Sequence, residues 1–185
     1  MSIIDLVIIA GVVIAGITCM VIFNSLVNKK NQVNFAWASL DAMLKKRYDL
    51  IPNLISTCEK YMGYEKGVLE SLTQARTKAM AATATEVDKA DADKVVTVGL
   101  RSIFAVAENY PRLKATHTFE LLQRSLNEVE EQIAASRRAY NAAVTSYNNG
   151  CEMFPSSVAA RMMGYQVKPW FAIPEAEREP VPIWR

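Results

Sequence analysis

The chain has 185 residues, of which 51% are hydrophobic, and its formal net charge is only +2. A nearly neutral chain gives no electrostatic case for nucleic-acid binding, so we expect no nucleic-acid partner. The seven glycines are scattered and form neither GxxxxGK[ST] nor GxGxxG, which excludes the familiar glycine-rich phosphate loops.

The first predicted element is an uncharged apolar run, LVIIAGVVIAGITCMVIF, over residues 6–23. At about 1.5 Å of rise per helical residue the run covers about 27 Å, close to the thickness of a bilayer's hydrocarbon core. The sequence therefore predicts one transmembrane helix that includes Leu6, Val13, Ile17 and Phe23, within an anchor domain over 1–28.

Two alternatives to an uncleaved anchor fit the flanks of this run poorly. A signal peptide needs a basic start and an Ala-x-Ala-like cleavage site, but Asp5 is the single charged side chain before the run, and Asn24-Ser25-Leu26-Val27 follows it. A lipoprotein signal at Cys19 lacks both the basic start and a good lipobox. We therefore predict that the anchor is retained.

Basic residues after the run predict its orientation. Lys29 and Lys30 follow the span as interfacial anchors, and Lys45-Lys46-Arg47 lies further along the chain. Because Lys and Arg concentrate on the cytoplasmic side, we expect the N-terminus outside and the large domain in the cytoplasm. For Lys45-Lys46-Arg47 we favour a solvated helix face, or pairing with a neighbouring subunit, over a lipid headgroup site.

Apolar residues then recur every three or four positions, the pattern of helices packed in bundles and coiled coils. Arg47 alone interrupts the first stripe, and Pro52 predicts a kink near Leu50 or a break between two helices. The first stripe comprises Val33, Trp37, Leu40, Leu44, Ile51, Leu54, Cys58 and Tyr61. The second comprises Phe119, Leu122, Leu126, Val129, Ile133, Ser136, Tyr140, Ala143 and Tyr147.

Shorter elements complete the prediction of an all-α fold, in which one transmembrane helix continues into an elongated, antiparallel, coiled-coil-like bundle. The proline-rich tail is expected to be extended and irregular. The predicted helices cover about 65–82, 87–108, 113–149 and 155–164, with a connection over 81–93 and the irregular tail from Lys168.

Five sequence blocks, in order, resemble the LemA family of bacterial membrane proteins. They are AWASLDAMLKKRYDLIPNL (36–54), EKGVLESLTQAR (65–76), ENYPRLKA (108–115), EEQIAASRRAYNAAVTSYN (130–148) and MFPSSVAARMMGY (153–165). The resemblance extends from the anchor to about Phe171, so we divide the remaining chain into a helical bundle over 29–171 and a tail over 172–185 without a counterpart.

The resemblance implies an N-terminal transmembrane helix in the bacterial cytoplasmic membrane and an antiparallel bundle in the cytosol or periplasm. It also implies a part in shaping membranes and, through the frequent neighbourhood of family genes, a link to membrane metallopeptidases. It brings no agreed enzymatic activity.

Candidate assembly positions are Gly11, Ala15, Trp37, Tyr140 and Tyr147. Gly11 and Ala15 form a small-xxx-small pair of the kind that lets membrane helices approach closely. The Tyr-Asn pairs that begin at 140 and 147 are one heptad apart, which suits an interface whose asparagines set the register. The alternative, which we favour for contacts within one subunit, is that these tyrosines belong to an ordinary core.

Candidate catalytic residues are few. His117 is the single histidine, and Cys58 and Cys151 lie in helical contexts, so we expect no enzyme, metal or cofactor. Two functions remain. One is a non-enzymatic membrane-anchored scaffold that self-associates and, together with membrane lipid, organises or shapes the membrane. The alternative is an adaptor or regulator of a membrane metallopeptidase or another envelope protein.

Overall fold

The computed structural model describes residues 2–81 and 86–171, and every regular element in those ranges is an α-helix. In chain order the helices are α1 (Ile3–Glu59), α2 (Lys66–Ala81), α3 (Glu86–Ala107), α4 (Pro111–Lys114), α5 (His117–Glu152) and α6 (Ser156–Met162). The prediction of an all-α fold with a long apolar N-terminal helix is confirmed. The predicted tail over 172–185 lies outside the described residues.

Two predicted boundaries are wrong. The predicted connection over 81–93 gives way to helix at Glu86, because Glu86 and Asp88 favour a first helical turn and Ala90 is buried on the inner face of α3. The helix predicted from Leu113 begins at His117, since Thr116 Oγ1 donates to the Leu113 carbonyl at 2.6 Å and separates α4 from α5.

At Pro52 the structure decides between a kinked helix and two separate helices. Pro52 lies inside α1, which remains helical to Glu59, so the alternative of a break is wrong. Proline removes one backbone donor, but the surrounding stripe is buried at Ile51 and Leu54, and that packing holds the helix on both sides of Pro52.

The chain divides into two compact units. The first unit comprises residues up to 38 together with 139–170; the second comprises 39–138 together with Phe171 among the described residues. Each unit contains a segment of α1 and a segment of α5, and α2, α3 and α4 belong to the second unit, whereas α6 belongs to the first.

In the first unit α1 and α5 are antiparallel. Lys29 contacts Ser146, whereas Trp37, further along α1, contacts Tyr140, which comes earlier in α5. The two helices approach closely at Gly150, where an added Cβ would lie 3.0 Å from Leu26 Cδ2. The core of this end of the unit is formed by Leu26, Ala159 and Ala160, with Ile22, Phe23, Cys151, Met163 and Tyr165 packed against them.

The C-terminal end of α6 is fixed by a Schellman motif. The Tyr165 amide donates to the Ala160 carbonyl at 2.9 Å, and the Gly164 amide donates to the Arg161 carbonyl at 3.1 Å. Gly164 has a φ of 65°, a left-handed conformation that glycine adopts without a Cβ penalty. This turn brings Tyr165 onto the core that contains Ala160.

In the second unit α2 and α3 pack as neighbouring helices, and Gly99 of α3 leaves room for Leu72 of α2, whose Cδ1 lies 3.0 Å from where a Cβ would be. The α1 and α5 segments are again antiparallel, since Lys46 contacts Gln132 and Arg47 contacts Glu130. The buried apolar stripes of this unit are Leu40, Leu44, Ile51, Leu54 and Cys58 on α1; Leu69 and Leu72 on α2; Val96, Leu100 and Ile103 on α3; and Phe119, Leu122, Leu126, Val129 and Ile133 on α5.

Candidate functional site

The predicted span is the most exposed apolar part of the described chain. An 18-residue window of α1 has a mean hydropathy of 2.9, and none of it is buried. Leu6, Val13 and Ile17 are all more than half exposed, and Phe23 is half-buried where the first unit's core begins. Within residues 2–81 and 86–171, α1 is the one helix long and apolar enough to cross a membrane, by length and composition.

The candidate small-residue seam lies within this exposed window. Gly11 and Ala15 are both exposed, and a Cβ added at Gly11 meets nothing within 4 Å. A larger side chain at position 11 is therefore accommodated within the single chain. Packing of this seam against a second copy stays a prediction.

Lys29 and Lys30 are half-buried and have partners within the chain. The Lys29 ammonium donates to the Ser146 carbonyl at 3.1 Å and lies 3.2 Å from the Ser146 hydroxyl. The Lys30 ammonium lies 4.5 Å from the centre of the Tyr165 ring, which places a cation over an aromatic face. The two lysines thus connect α1 to α5 and to the segment after α6.

Trp37, Tyr140 and Tyr147 lie in the first unit, where each packs against another aromatic ring. Trp37 and Tyr140 have ring centroids 5.5 Å apart, and Tyr147 and Tyr165 have centroids 6.1 Å apart. Tyr140 and Tyr147 are buried, and burial raises the pKa of the Tyr147 phenol above its ordinary value. These contacts within one chain match the interpretation as core tyrosines; a role in assembly stays a prediction.

Asn148, which flanks Tyr147, binds the backbone after α6. Its side-chain amide donates to the Lys168 carbonyl at 2.9 Å, and its side-chain oxygen accepts from the Lys168 amide at 2.9 Å. Trp170 adds a hydrogen bond from its indole N–H to the Thr145 hydroxyl at 3.0 Å. The irregular segment after α6 is thereby held against α5.

The second unit contains a group of polar side chains that sequence reasoning did not assign, here called the Asp93 cluster: the buried Arg47, Tyr48, Asp93 and Arg137, together with Glu130, whose side chain is 41% exposed. Arg47 forms ion pairs with both Asp93 and Glu130. The Arg137 guanidinium lies 3.8 Å from the second Asp93 oxygen, and the Tyr48 hydroxyl donates to Asp93 at 3.2 Å. The cluster joins α1, α3 and α5, and its two positive and two negative charges balance.

Burial dominates the electrostatics of this cluster. Desolvation lowers the pKa of Arg47 from its ordinary value, while Glu130 opposes that change. Burial raises the pKa of Tyr48 to about 12, so the phenol remains protonated and can donate to Asp93. Arg137 also lies over the ring of Phe171, with its guanidinium carbon 5.4 Å from the ring centre.

The interpretation of Lys45-Lys46-Arg47 as a solvated face is wrong for Arg47, which is fully buried, whereas Lys45 and Lys46 are exposed. The signal was its position: Arg47 lies where the apolar stripe of α1 requires an inward-facing residue. The stripe on α5 has the same correction, since Arg137 and Val144 are buried in place of the predicted Ser136 and Ala143.

Nucleophilic and metal-binding residue types are dispersed in the described parts of the chain. Burial raises the pKa of the Cys58 thiol to about 11, which keeps it protonated and poorly nucleophilic at neutral pH. His117 is exposed at the start of α5. In residues 2–81 and 86–171, three or more His, Cys, Asp or Glu side chains nowhere form a group suited to a metal ion.

The fold and the exposed apolar window define an all-α protein whose single candidate span suggests anchoring in a membrane. The chain belongs to the LemA family, whose sequence profile matches residues 36–184. The match extends to residue 184, beyond the last of the five sequence blocks (153–165) and beyond Phe171, so the expectation that the tail has no counterpart is wrong.

Individual relatives agree with this assignment. Protein LemA of Metamycoplasma hominis is 26% identical over 163 residues, which cover 84% of this chain and 71% of that protein. Magnetosome protein MamQ 2 of Paramagnetospirillum magneticum is 32% identical over 82 residues, 44% of this chain. Magnetosome protein MamQ of Magnetospirillum gryphiswaldense is 28% identical over 72 residues. The matched region spans only 30% and 26% of these two magnetosome proteins.

Proposed function

We propose that this chain is a non-enzymatic, single-pass scaffold that self-associates in the bacterial cytoplasmic membrane and organises or shapes it. The observation that carries the proposal is the unburied apolar window of α1, which belongs to the same helix as the buried stripe at Leu40 and Leu44. A span in the same helix as buried bundle residues would attach the bundle directly to the membrane. The partial likeness to two magnetosome proteins supports a membrane role.

The proposed orientation has the N-terminus outside and the bundle in the cytoplasm. Lys29, Lys30, Lys45 and Lys46 follow the span, and cytoplasmic flanks are enriched in such residues. A reporter fused after Arg185 tests this: activity of a cytoplasmic reporter supports the orientation, and activity of a periplasmic reporter overturns it.

The chemistry of the described residues supports a role without catalysis. The charged groups of the Asp93 cluster neutralise one another, and Cys58 holds its proton. These groups stabilise helix packing and leave neither a poised base nor a thiolate at neutral pH.

Self-association is tested on the full-length protein in a mild detergent, by light-scattering mass and negative-stain imaging. We expect a large ordered homo-oligomer. A monomer under all detergent conditions contradicts the scaffold, and a small species that co-purifies with a membrane peptidase favours the alternative function as an adaptor.

The chain offers a matched pair of variants for the seam. Gly11→Ile places a branched side chain on the face of Gly11 and Ala15, whereas Gly16→Ile places it about 100° or more around the helix. A Cβ at either glycine meets nothing within 4 Å, so both variants are accommodated within the chain. We expect Gly11→Ile to disperse the oligomer and Gly16→Ile to leave it intact; equal behaviour contradicts the seam.

A further inference from the structure

Large apolar side chains remain exposed in the short segment that follows α5. Met153, Phe154, Val158 and Met162 are exposed to 63%, 84%, 54% and 77%. We name these four residues the α6 apolar surface. Contiguous exposure of this kind marks an interaction site on a folded protein.

This surface lies against the end of the candidate span, within the first unit. Phe154, Val158 and Met162 line one groove of about 250 Å³ together with Cys19, Ile22 and Phe23 of α1. Behind the groove, Ala159 and Ala160 pack on Leu26, which fixes α6 beside that part of α1. The apolar surface of α6 is therefore continuous with the apolar surface of the span.

The depth of the contact follows from helix geometry. Cys19 precedes Phe23, the last residue of the apolar run, by four residues, which is about 6 Å along the helix axis. Interfacial helices bury their apolar face about 5–10 Å into the boundary between headgroups and acyl chains. The groove at Cys19 has the depth at which such a helix lies.

The sequence of α6 is amphipathic, as a helix at the boundary between headgroups and acyl chains requires. Val158 and Met162 are four residues apart and share a face, whereas Arg161 is exposed and positively charged. A cation near the headgroups is attracted to anionic lipids. Lys29, six residues beyond Phe23, is held on α5 about 9 Å past the apolar run.

We propose that the α6 apolar surface inserts into the leaflet in which the span ends and is covered there by lipid acyl chains. The membrane is then contacted by a span and by an interfacial helix beside it. Acyl chains are the occupant because the groove continues the surface of a span that lipid already surrounds. The proposal rests on the membrane anchoring in the proposed function.

The test uses the full-length chain with Cys19, Cys58 and Cys151 replaced by alanine, reconstituted in phosphatidylcholine–phosphatidylglycerol vesicles. Single cysteines at Met153→Cys and Met162→Cys carry a nitroxide, whose collisions with oxygen and with a water-soluble nickel complex are compared. Val98→Cys on α3 is the matched control, since Val98 is 63% exposed, like Met153. Val13→Cys reports on the span itself.

We expect the ratio of oxygen collisions to nickel collisions to be severalfold higher for labels at positions 153 and 162 than for the label at position 98. The ratio at positions 153 and 162 should be similar to that of the label at position 13, in the span. A water-like ratio at 153 and 162 with a lipid-like ratio at 13 overturns this inference and leaves the anchor in place. A water-like ratio at 13 overturns the anchoring itself. Low collision with both reagents, with spin–spin broadening, shows a second copy on the surface and also overturns the inference.

A second measurement keeps all three cysteines. In vesicles with brominated acyl chains, the added fluorescence of Met162→Trp is expected to be quenched severalfold more than that of Val98→Trp. Equal quenching overturns the inference. Circular dichroism of each variant checks that the helical content is unchanged.

Discussion

Both units bury an apolar core, but they depart from the ordinary placement of polar and apolar side chains in different ways. The first unit exposes an entire apolar window and, near its end, Phe154 and Met162, while its lysines are partly buried against α5 and Tyr165. The second unit buries Arg47 and Asp93 and exposes Lys45 and Lys46. Exposed apolar patches and buried charges are the informative departures from the ordinary pattern. The first unit carries the exposed apolar surface that membrane anchoring would use, and the second carries buried charges that join its helices.

The largest effect on stability is expected when Asp93, the carboxylate between Arg47 and Arg137, is removed from the second unit. Asp93→Ala leaves Arg47 without its buried partner and Arg137 without the nearby carboxylate, so the free energy of unfolding should fall by about 3–5 kcal/mol. Chemical unfolding in mild detergent, followed by circular dichroism, measures it.

The matched control lies two residues away on the same helix. Asp91 is exposed and pairs with Lys94 at 2.8 Å, so Asp91→Ala should change stability by at most about 1 kcal/mol. Equal losses in the two variants would show that burial of the charges is not what distinguishes the second unit.

Alkaline pH should weaken the second unit through Cys58. The thiol has an ordinary pKa of 9.0 in the unfolded chain and about 11 when buried, so only the unfolded chain releases the proton between those values. The stabilisation is present below pH 9 and lost as the pH rises through 11, by up to about 2–3 kcal/mol.

Unfolding curves from pH 8 to 11 measure this loss. Cys58→Ala should have a flatter pH profile, because the titrating group is gone. Tyr48, whose pKa burial raises from 10.0 to about 12, contributes a further part of the slope, which Tyr48→Phe removes, and the raised pKa of Tyr147 contributes in the same direction. An unchanged profile in Cys58→Ala contradicts the assignment.

In the first unit, the close approach of α1 and α5 is tested at Gly150. The additional side chain of Gly150→Val meets Leu26 and Lys29, since a Cβ alone lies 3.0 Å and 3.3 Å from their nearest atoms. We expect a loss of about 1–3 kcal/mol from overpacking. Gly67→Val on α2 is the control, because a Cβ there meets nothing within 4 Å; similar losses would assign the effect to helix propensity alone.

The smallest effect concerns the turn that presents α6. Gly164→Ala forces a side chain into the left-handed conformation, at a cost of about 1–2 kcal/mol. Thermal unfolding should register it, and Gly63→Ala, outside any helix and with open space around its Cβ, serves as the reference. A neutral Gly164→Ala would mean that the turn relaxes without the Schellman hydrogen bonds.

The positions of the helices could be predicted from the sequence because apolar residues at helical spacing mark each helix. The predicted start of α2 and the predicted end of α3 differ from the structure by one residue each, and the stripe on α5 is buried as predicted at Phe119, Leu126 and Ile133. Local spacing suffices there, since each helix buries one face.

The Asp93 cluster was partly predictable from the sequence, because Arg47 interrupts an apolar stripe. The partner of Arg47 was not predictable, since Asp93 lies in an Ala/Asp/Lys-rich stretch that has the composition of a solvated connection. The α6 apolar surface depends on which segment of α1 it packs against, at Leu26, and that pairing joins residues more than 130 positions apart. Periodicity contains no such information.

The two hydrogen bonds between Asn148 and Lys168 use only main-chain atoms of residue 168. The Asn148 side chain therefore binds the backbone of residue 168, and these hydrogen bonds do not depend on which side chain residue 168 carries. These two hydrogen bonds therefore exclude only proline at position 168, because proline lacks the N–H, whereas they require at position 148 a short side chain with a donor and an acceptor. In homologous chains we expect an asparagine at position 148 and no proline at position 168.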